Sequence, residues 1–191
     1  MTGVQTCALP ISLALLQREG VAHTVHSYEI EPPSGPEAHR GERVAYGTAA
    51  AAALGVDPAR LFKTLVVTLD GARAAPGVPG AGVRLSAGVS LGVAVLPSAA
   101  SASMKLVAEA LGAKRAALAD AATVQRVTGY VVGGVSPLGS RRALPTVIDA
   151  SALRHATILV SAGQRGLSIE LAPADLQRLA AATVAPIHEG T

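Results

Sequence analysis

The stretch Leu61-Phe62-Lys63-Thr64-Leu65-Val66-Val67-Thr68-Leu69 constrains the fold of this chain more than any other. Its β-branched and aliphatic content is that of a buried strand, and Asp70-Gly71 ends it with a turn signal. Period-2 alternation puts Lys63 on the face of Leu61, Leu65, Val67 and Leu69, the more apolar one, with the threonines opposite. An ammonium there must reach a cleft, a counter-charge or water, because unpaired burial costs several kcal/mol. Lys63 is therefore a candidate site residue, with a snorkelling strand-end lysine as the local alternative. Only Lys63, Lys105 and Lys114 are lysines among 16 basic residues, and the other two sit in or beside a helix.

The rest of the chain alternates short elements. A helix over 12–19, capped by Ser12 and closed at Gly20, is followed by a strand over 21–30. Residues 31–46 read as a loop, Thr48 caps a helix that stops near Gly55, and Asp57-Pro58 opens a short turn. Residues 72–92, dominated by Gly, Ala, Pro and Ser, suggest a long hairpin connection or insertion, after which 93–96 resumes the strand pattern. Helices are expected from Ser103 to Leu111, from Asp120 to near Gly129 and over 175–182. Short strands are expected over 130–132, 146–149, 156–161 and 167–171. These signals lack a regular βαβ rhythm, so the expected class is α+β with a mixed sheet.

With 191 residues, half of them hydrophobic, the chain has room for one domain and one sizeable core. No apolar run approaches a bilayer span, so no membrane partner is expected. The net charge of +3 suits a polyanionic partner without demanding one. Residues 1–11, MTGVQTCALPI, are uncharged and aperiodic and resemble the translation of a sequencing adapter; they are expected to be foreign to a single domain over 12–191. They lack the positive and long apolar regions of a secretory signal, and a cytoplasmic location is expected. Cys7, the one cysteine, lies within them, which leaves neither a disulfide framework nor a thiol nucleophile.

Two familiar patterns fail on context. Gly88-Val89-Ser90-Leu91-Gly92 matches G-x-S-x-G, but an extended segment follows where a nucleophile elbow needs a helix. His23 and His26 project to opposite faces of their strand, and His39, His155 and His188 have no ligand-like spacing. No metal and no cofactor are expected. Three further positions carry possible chemistry. In 128–139, TGYVVGGVSPLG, Gly133 and Gly134 permit close backbone approach to a ligand, or simply make a tight turn. In 160–167 Ser161 closes a strand before a glycine hairpin. Tyr28 reads locally as an amphipathic core residue with its hydroxyl at the edge.

Taken together and in this order, SYE at 27–29, LFKTL at 61–65, ALGAK at 110–114, TGYVVGGVSPLG at 128–139, LPTVID at 144–149 and the hairpin over 160–171 resemble the YbaK/EbsC family of Cys-tRNA(Pro) deacylases, relatives of the editing domain of bacterial prolyl-tRNA synthetases. The resemblance spans about residues 13–182. It implies a mixed, partly barrel-like sheet with flanking helices and a pocket for the aminoacylated 3′ end of tRNA. The family's functional positions fall on Tyr28, Lys63, Gly133 and Ser161. It implies that Lys63 holds a phosphate or the terminal ribose, that Gly133 and Gly134 offer backbone to the aminoacyl group, and that Tyr28 and Ser161 orient it. One position departs: the family commonly has Asp where this chain has Ser168, which puts a carboxylate role there in doubt. The implied activity is deacylation of mischarged Cys-tRNA(Pro) with the substrate's own thiol attacking, and prolyl-tRNA synthetase is the implied partner. The alternatives are another mischarged tRNA, such as Ala-tRNA(Pro), and a non-catalytic module that docks tRNA or a synthetase.

Overall fold

Strand β2 (Phe62–Asp70) and strand β4 (Val89–Pro97) pair antiparallel without interruption from Phe62↔Pro97 to Asp70↔Val89, and the remaining elements are arranged around this ladder. The computed structural model describes residues 9–29, 50–72, 84–86 and 89–189. The loop expected over 31–46, the Thr48 cap, most of the expected foreign segment and much of the 72–92 stretch lie outside the described residues.

Strand β5 (Arg115–Leu118) pairs antiparallel with the outer side of β2. On the other side β4 pairs parallel with β6 (Thr146–Asp149), and β6 pairs parallel with β9 (Thr183–Ala185). The short β3 (Arg84–Ser86) also pairs with β4. A second, antiparallel sheet has the order β1 (His23–Ser27), β8 (Leu167–Leu171), β7 (Ile158–Ser161). A parallel bridge, Leu61↔Leu159, joins the two sheets. The expected α+β class with a mixed sheet and flanking helices holds, but the two sheets do not close into a barrel among the described residues.

Both faces of β2 are covered, so its two apolar sets enter different cores. Phe62 and Val66 join Leu91, Val93 and Val95 in the larger core, which also takes Ile158, Val160 and Ile169 from the small sheet. Val67 and Leu69 join Ala94, Leu96, Val107, Val147 and Ile187 on the opposite face, and Leu65 packs against them. Lys63 shares that second face, as alternation requires. By residue type it is the more apolar face, as expected: it carries Leu61, Leu65, Val67 and Leu69, three of them buried, whereas the other face carries Phe62 and Val66 with Thr64, Thr68 and Asp70.

Helix α1 (Ile11–Arg18) buries Leu13 and Leu16 and ends before Gly20, whose φ is +63°. Ser12 does not cap it. Pro10 holds that position, accepting from the Leu13 and Ala14 amides, while Ser12 is buried and its hydroxyl donates to the Ala162 carbonyl, a partner far off in sequence. The aspartate caps act as expected. Asp57 accepts from the Ala59 amide at 2.9 Å to start the 3-10 turn Pro58–Arg60. Asp120 accepts from the Thr123 amide at 2.8 Å to start α3 (Ala121–Thr128), which closes on left-handed Gly129. Ser103 precedes α2 (Met104–Ala110) without a side-chain cap bond, and α4 (Pro173–Ala180) starts on Pro173.

Two further expectations fail. Residues 130–132 form no strand, because the chain after Gly129 is held by side chains instead of a ladder. Strands β3, β5 and β9 are additional, and β4 begins at Val89, inside the stretch expected as a connection.

Candidate functional site

Three hydroxyls gather at one end of the small sheet. Ser161 ends β7 and pairs with Ser168 of β8, which pairs in turn with His26 of β1, so alternation places Tyr28 on the same face as Ser161 and Ser168. The Ser168 hydroxyl, 1% exposed, donates to the Tyr28 phenol oxygen at 3.3 Å, and Ser161 Oγ accepts from the Gly163 amide at 3.2 Å. Tyr28 is anchored at its backbone as well, its amide donating to the Gly166 carbonyl at 2.9 Å. A Cβ on Gly166 would stand 2.6 Å from the Tyr28 carbonyl oxygen, so glycine is required where these two backbones cross. The Tyr28 ring packs beside Leu61, Leu159, Ala50 and Ala51.

The Leu61↔Leu159 bridge brings the Lys63 strand to this end, because Lys63 and Ser161 each lie one alternate position beyond it on parallel courses. Lys63 Nζ donates to the Ser98 carbonyl at 3.0 Å and the Ala100 carbonyl at 2.5 Å. The ammonium thereby ties down the turn after β4. The same turn is held from outside by residues 187–189: the Ser103 amide donates to Ile187 O at 2.9 Å and the Glu189 amide to Ser101 O at 3.1 Å. Asp149, 1% exposed, fixes that tail by accepting from the Ile187 amide at 2.9 Å and pairing with His188 Nδ1 at 2.7 Å. Burial alone would raise the Asp149 pKa. Hydrogen bonds from the Ser151 side chain, the Ile187 amide and His188 outweigh it and hold the carboxyl below its ordinary 3.8.

Gly133 and Gly134 lie in a turn without strand partners. Gly133 has φ +91°, open to glycine and strained for other residues. The Gly134 amide is committed to the Val131 carbonyl at 3.0 Å, so of the two expected backbone donors only the Gly133 amide has no acceptor among the described residues. The turn lies against the β7–β8 hairpin: a Cβ on Gly134 would meet the Arg165 amide nitrogen at 3.0 Å and the Gln164 carbonyl carbon at 3.1 Å. Arg165 Nη2 and Nε donate to the Val132 carbonyl at 2.7 and 3.2 Å. Tyr130 supports the hairpin from below. Its hydroxyl donates to Leu138 O at 2.7 Å, its ring would meet a Cβ on Gly163 at 2.5 Å, and burial pushes its pKa up to about 12 despite a hydrogen bond with Ser136.

The small sheet thus places Tyr28 and Ser161 together, the bridge sets Lys63 beside them, and the hairpin that follows Ser161 meets the Gly133–Gly134 turn. Arg165 and Tyr130 are contributors that sequence reasoning missed. Each acts on backbone through a contact distant in sequence, which leaves no local pattern. Ser90 pairs with Leu69 inside continuous β4, away from any elbow. His26 joins Arg60 and Thr157 around Glu170, whose pKa is lowered first by the Thr157 hydroxyl and then, against burial, by His26 and Arg60. No group of three or more metal-capable side chains occurs among the described residues, and none of their helices is long and apolar enough to cross a membrane. A cavity of about 260 Å³ lies between Leu15, Leu138, Leu144 and Leu179 and includes none of the candidate residues.

The family model for the aminoacyl-tRNA editing domain matches residues 42–179. Among curated proteins, the chain is 35% identical over 123 residues to "Putative Cys-tRNA(Pro)/Cys-tRNA(Cys) deacylase EbsC" of Enterococcus faecalis. That match takes in 64% of this chain and 65% of the relative, so it spans just under two thirds of the relative's length. Among solved structures, "Crystal structure of hypothetical protein APE2540" superposes with a TM-score of 0.70 at 25% identity, covering 94% of this chain and 99% of that one. "Crystal structure of a putative trans-editing enzyme for prolyl tRNA synthetase" gives 0.69 at 19% identity, covering 94% and 96%, which establishes likeness of fold alone.

Proposed function

Because the chain belongs to the aminoacyl-tRNA editing domain family, we propose that it is a deacylase that cleaves the ester of a mischarged aminoacyl-tRNA. The observation that carries this reading is the meeting of the Tyr28, Ser161 and Ser168 hydroxyls with the Lys63 strand and the Gly133 turn at one end of the small sheet. Similarity to the Enterococcus protein supports Cys-tRNA(Pro) as substrate, and a prolyl-tRNA synthetase is the partner that would produce it.

In this mechanism the cysteinyl thiol of the substrate is the nucleophile. A thiol of pKa about 8.5 is a few per cent thiolate at neutral pH and remains strongly nucleophilic. Its sulfur bonds to the ester carbonyl carbon, the carbon–oxygen bond to the terminal ribose breaks, and the ribose oxygen takes a proton as tRNA leaves. Water then opens the four-membered thiolactone to cysteine, so the net reaction is ester hydrolysis. The Gly133 amide is the donor available to the developing oxyanion, and Tyr28 and Ser161 orient the aminoacyl group. Lys63 stands by the terminal ribose and phosphate, and its hold on the Ser98–Ala100 turn keeps that wall in place.

A panel of tRNA(Pro) charged with cysteine, alanine or serine tests the reading. The cysteinyl ester should be cleaved far faster than the other two, which bind comparably but carry no thiol. Equal rates on all three would replace the thiol with activated water, and inactivity on all three would leave a docking module. Lys63→Ala should remove most activity and loosen residues 98–101. Lys63→Arg should restore little, since a planar fork does not replace a compact ammonium between two carbonyls.

A further inference from the structure

The Gly133 turn carries the one amide the proposed chemistry needs, yet its exposed side, residues 131–133, has little to hold it. Residues 131 and 132 are exposed valines, 45% and 40%, with no strand on either side. Its one internal bond is from the Gly134 amide to the Val131 carbonyl. The Gly134 end packs its backbone against Gln164 and Arg165 and runs into buried Val135 and Ser136, whereas the exposed Val132 end is held by one side chain among the described residues: Arg165 in the β7–β8 hairpin sends both Nε and Nη2 to the Val132 carbonyl and lies 3.1 Å from where a Gly133 Cβ would stand. The carbonyl it grips belongs to the peptide whose nitrogen is the Gly133 amide. Fixing Val132 O fixes the plane of that peptide, and with it the direction in which the N–H points.

We infer that Arg165 is a positioning residue, aiming the Gly133 amide into the pocket through the Val132–Gly133 peptide. This rests on the proposed deacylase site. A lysine cannot reproduce the fork, because one ammonium on a flexible stem does not set a peptide plane with two donors.

The test uses the full chain and two readouts. Hydrogen exchange at residues 131–134 without substrate should speed up in Arg165→Gln and stay fast in Arg165→Lys. In Cys-tRNA(Pro) deacylation both variants should lose kcat by about ten- to a hundredfold, with KM and its salt dependence unchanged. Unchanged exchange with unchanged kcat would overturn the inference. So would a raised KM, a salt slope lower by about one, and full rescue by lysine, since these mark a phosphate contact. A wild-type protein inert on every charged tRNA would remove the deacylase reading, and the exchange data would then decide the clamp on their own.

Discussion

The β2–β4 ladder and the segment over 129–145 are both buried for much of their length, but they are held in different ways. In the ladder each residue from Phe62 to Asp70 faces a partner across an unbroken antiparallel register, and the side chains fill cores on both faces. In the second segment the backbone has neither helix nor strand. Its course is set by side-chain bonds: Thr128 Oγ1 accepts from the Tyr130 amide at 3.0 Å, the Tyr130 hydroxyl donates to Leu138 O at 2.7 Å, Ser136 Oγ accepts from the Leu138 amide at 3.2 Å, and Arg165 donates to Val132 O. A ladder spreads its hold over many equivalent bonds, so one truncation lowers stability without redirecting the chain. A segment held by a few specific side chains can be redirected by one substitution at small global cost, and the Gly133 turn belongs to that kind.

If so, stability and activity should separate. The largest stability loss should come from the ladder: Leu91→Ala, at a site of 0% exposure, should cost about 2–5 kcal/mol in denaturant unfolding while deacylation per folded molecule is kept. A large loss of specific activity would blur the distinction.

Asp149 comes next. Its folded carboxyl titrates below 3.8, so it favours the folded state above that pH, and this contribution fades as pH falls through the lowered value. Asp149→Asn should lose about 1.5–3 kcal/mol at neutral pH, and its stability should decline less steeply under acid than that of the parent. Identical acid limbs in pH-dependent unfolding would show that the carboxylate does not link the tail to the fold.

Tyr130→Phe leaves Leu138 O without its donor and should cost about 1–3 kcal/mol, with a loss of kcat out of proportion to it. Because burial raises the phenol from 10.0 to about 12, the parent should lose stability between those pH values as the unfolded phenol ionises first. The variant should lack that alkaline limb, and a limb of equal depth would place the titrating group elsewhere.

The smallest effect is expected at Ser168→Ala, which removes one hydroxyl contact of 3.3 Å to Tyr28, about 0.5–1.5 kcal/mol. A fall in kcat/KM larger than this energy would confirm that Ser168 holds Tyr28 for the substrate.

Much of the architecture is written locally in the chain. Asp57 and Asp120 cap the elements they precede, Gly20, Gly55 and Gly129 end helices in the left-handed region, and β2, β6 and β8 show their strand character. These features depend on neighbours within a few residues, so the sequence by itself determined them, together with the family to which the motifs around Lys63, Gly133 and Ser161 belong. Other features were decided by contacts between residues far apart. Ser12 looks like a cap until α1 docks against Ala162, and Tyr130-Val131-Val132 looks like a strand although it has no neighbour to pair with. Arg115–Leu118 and Thr183–Ala185 become strands because β2 and β6 offer them edges. The acceptors of Lys63 lie 35 and 37 residues away and that of Arg165 lies 33. A backbone carbonyl is the same chemical group in every residue, so nothing in the amino-acid order marks which one a distant side chain will reach; only packing in three dimensions selects it.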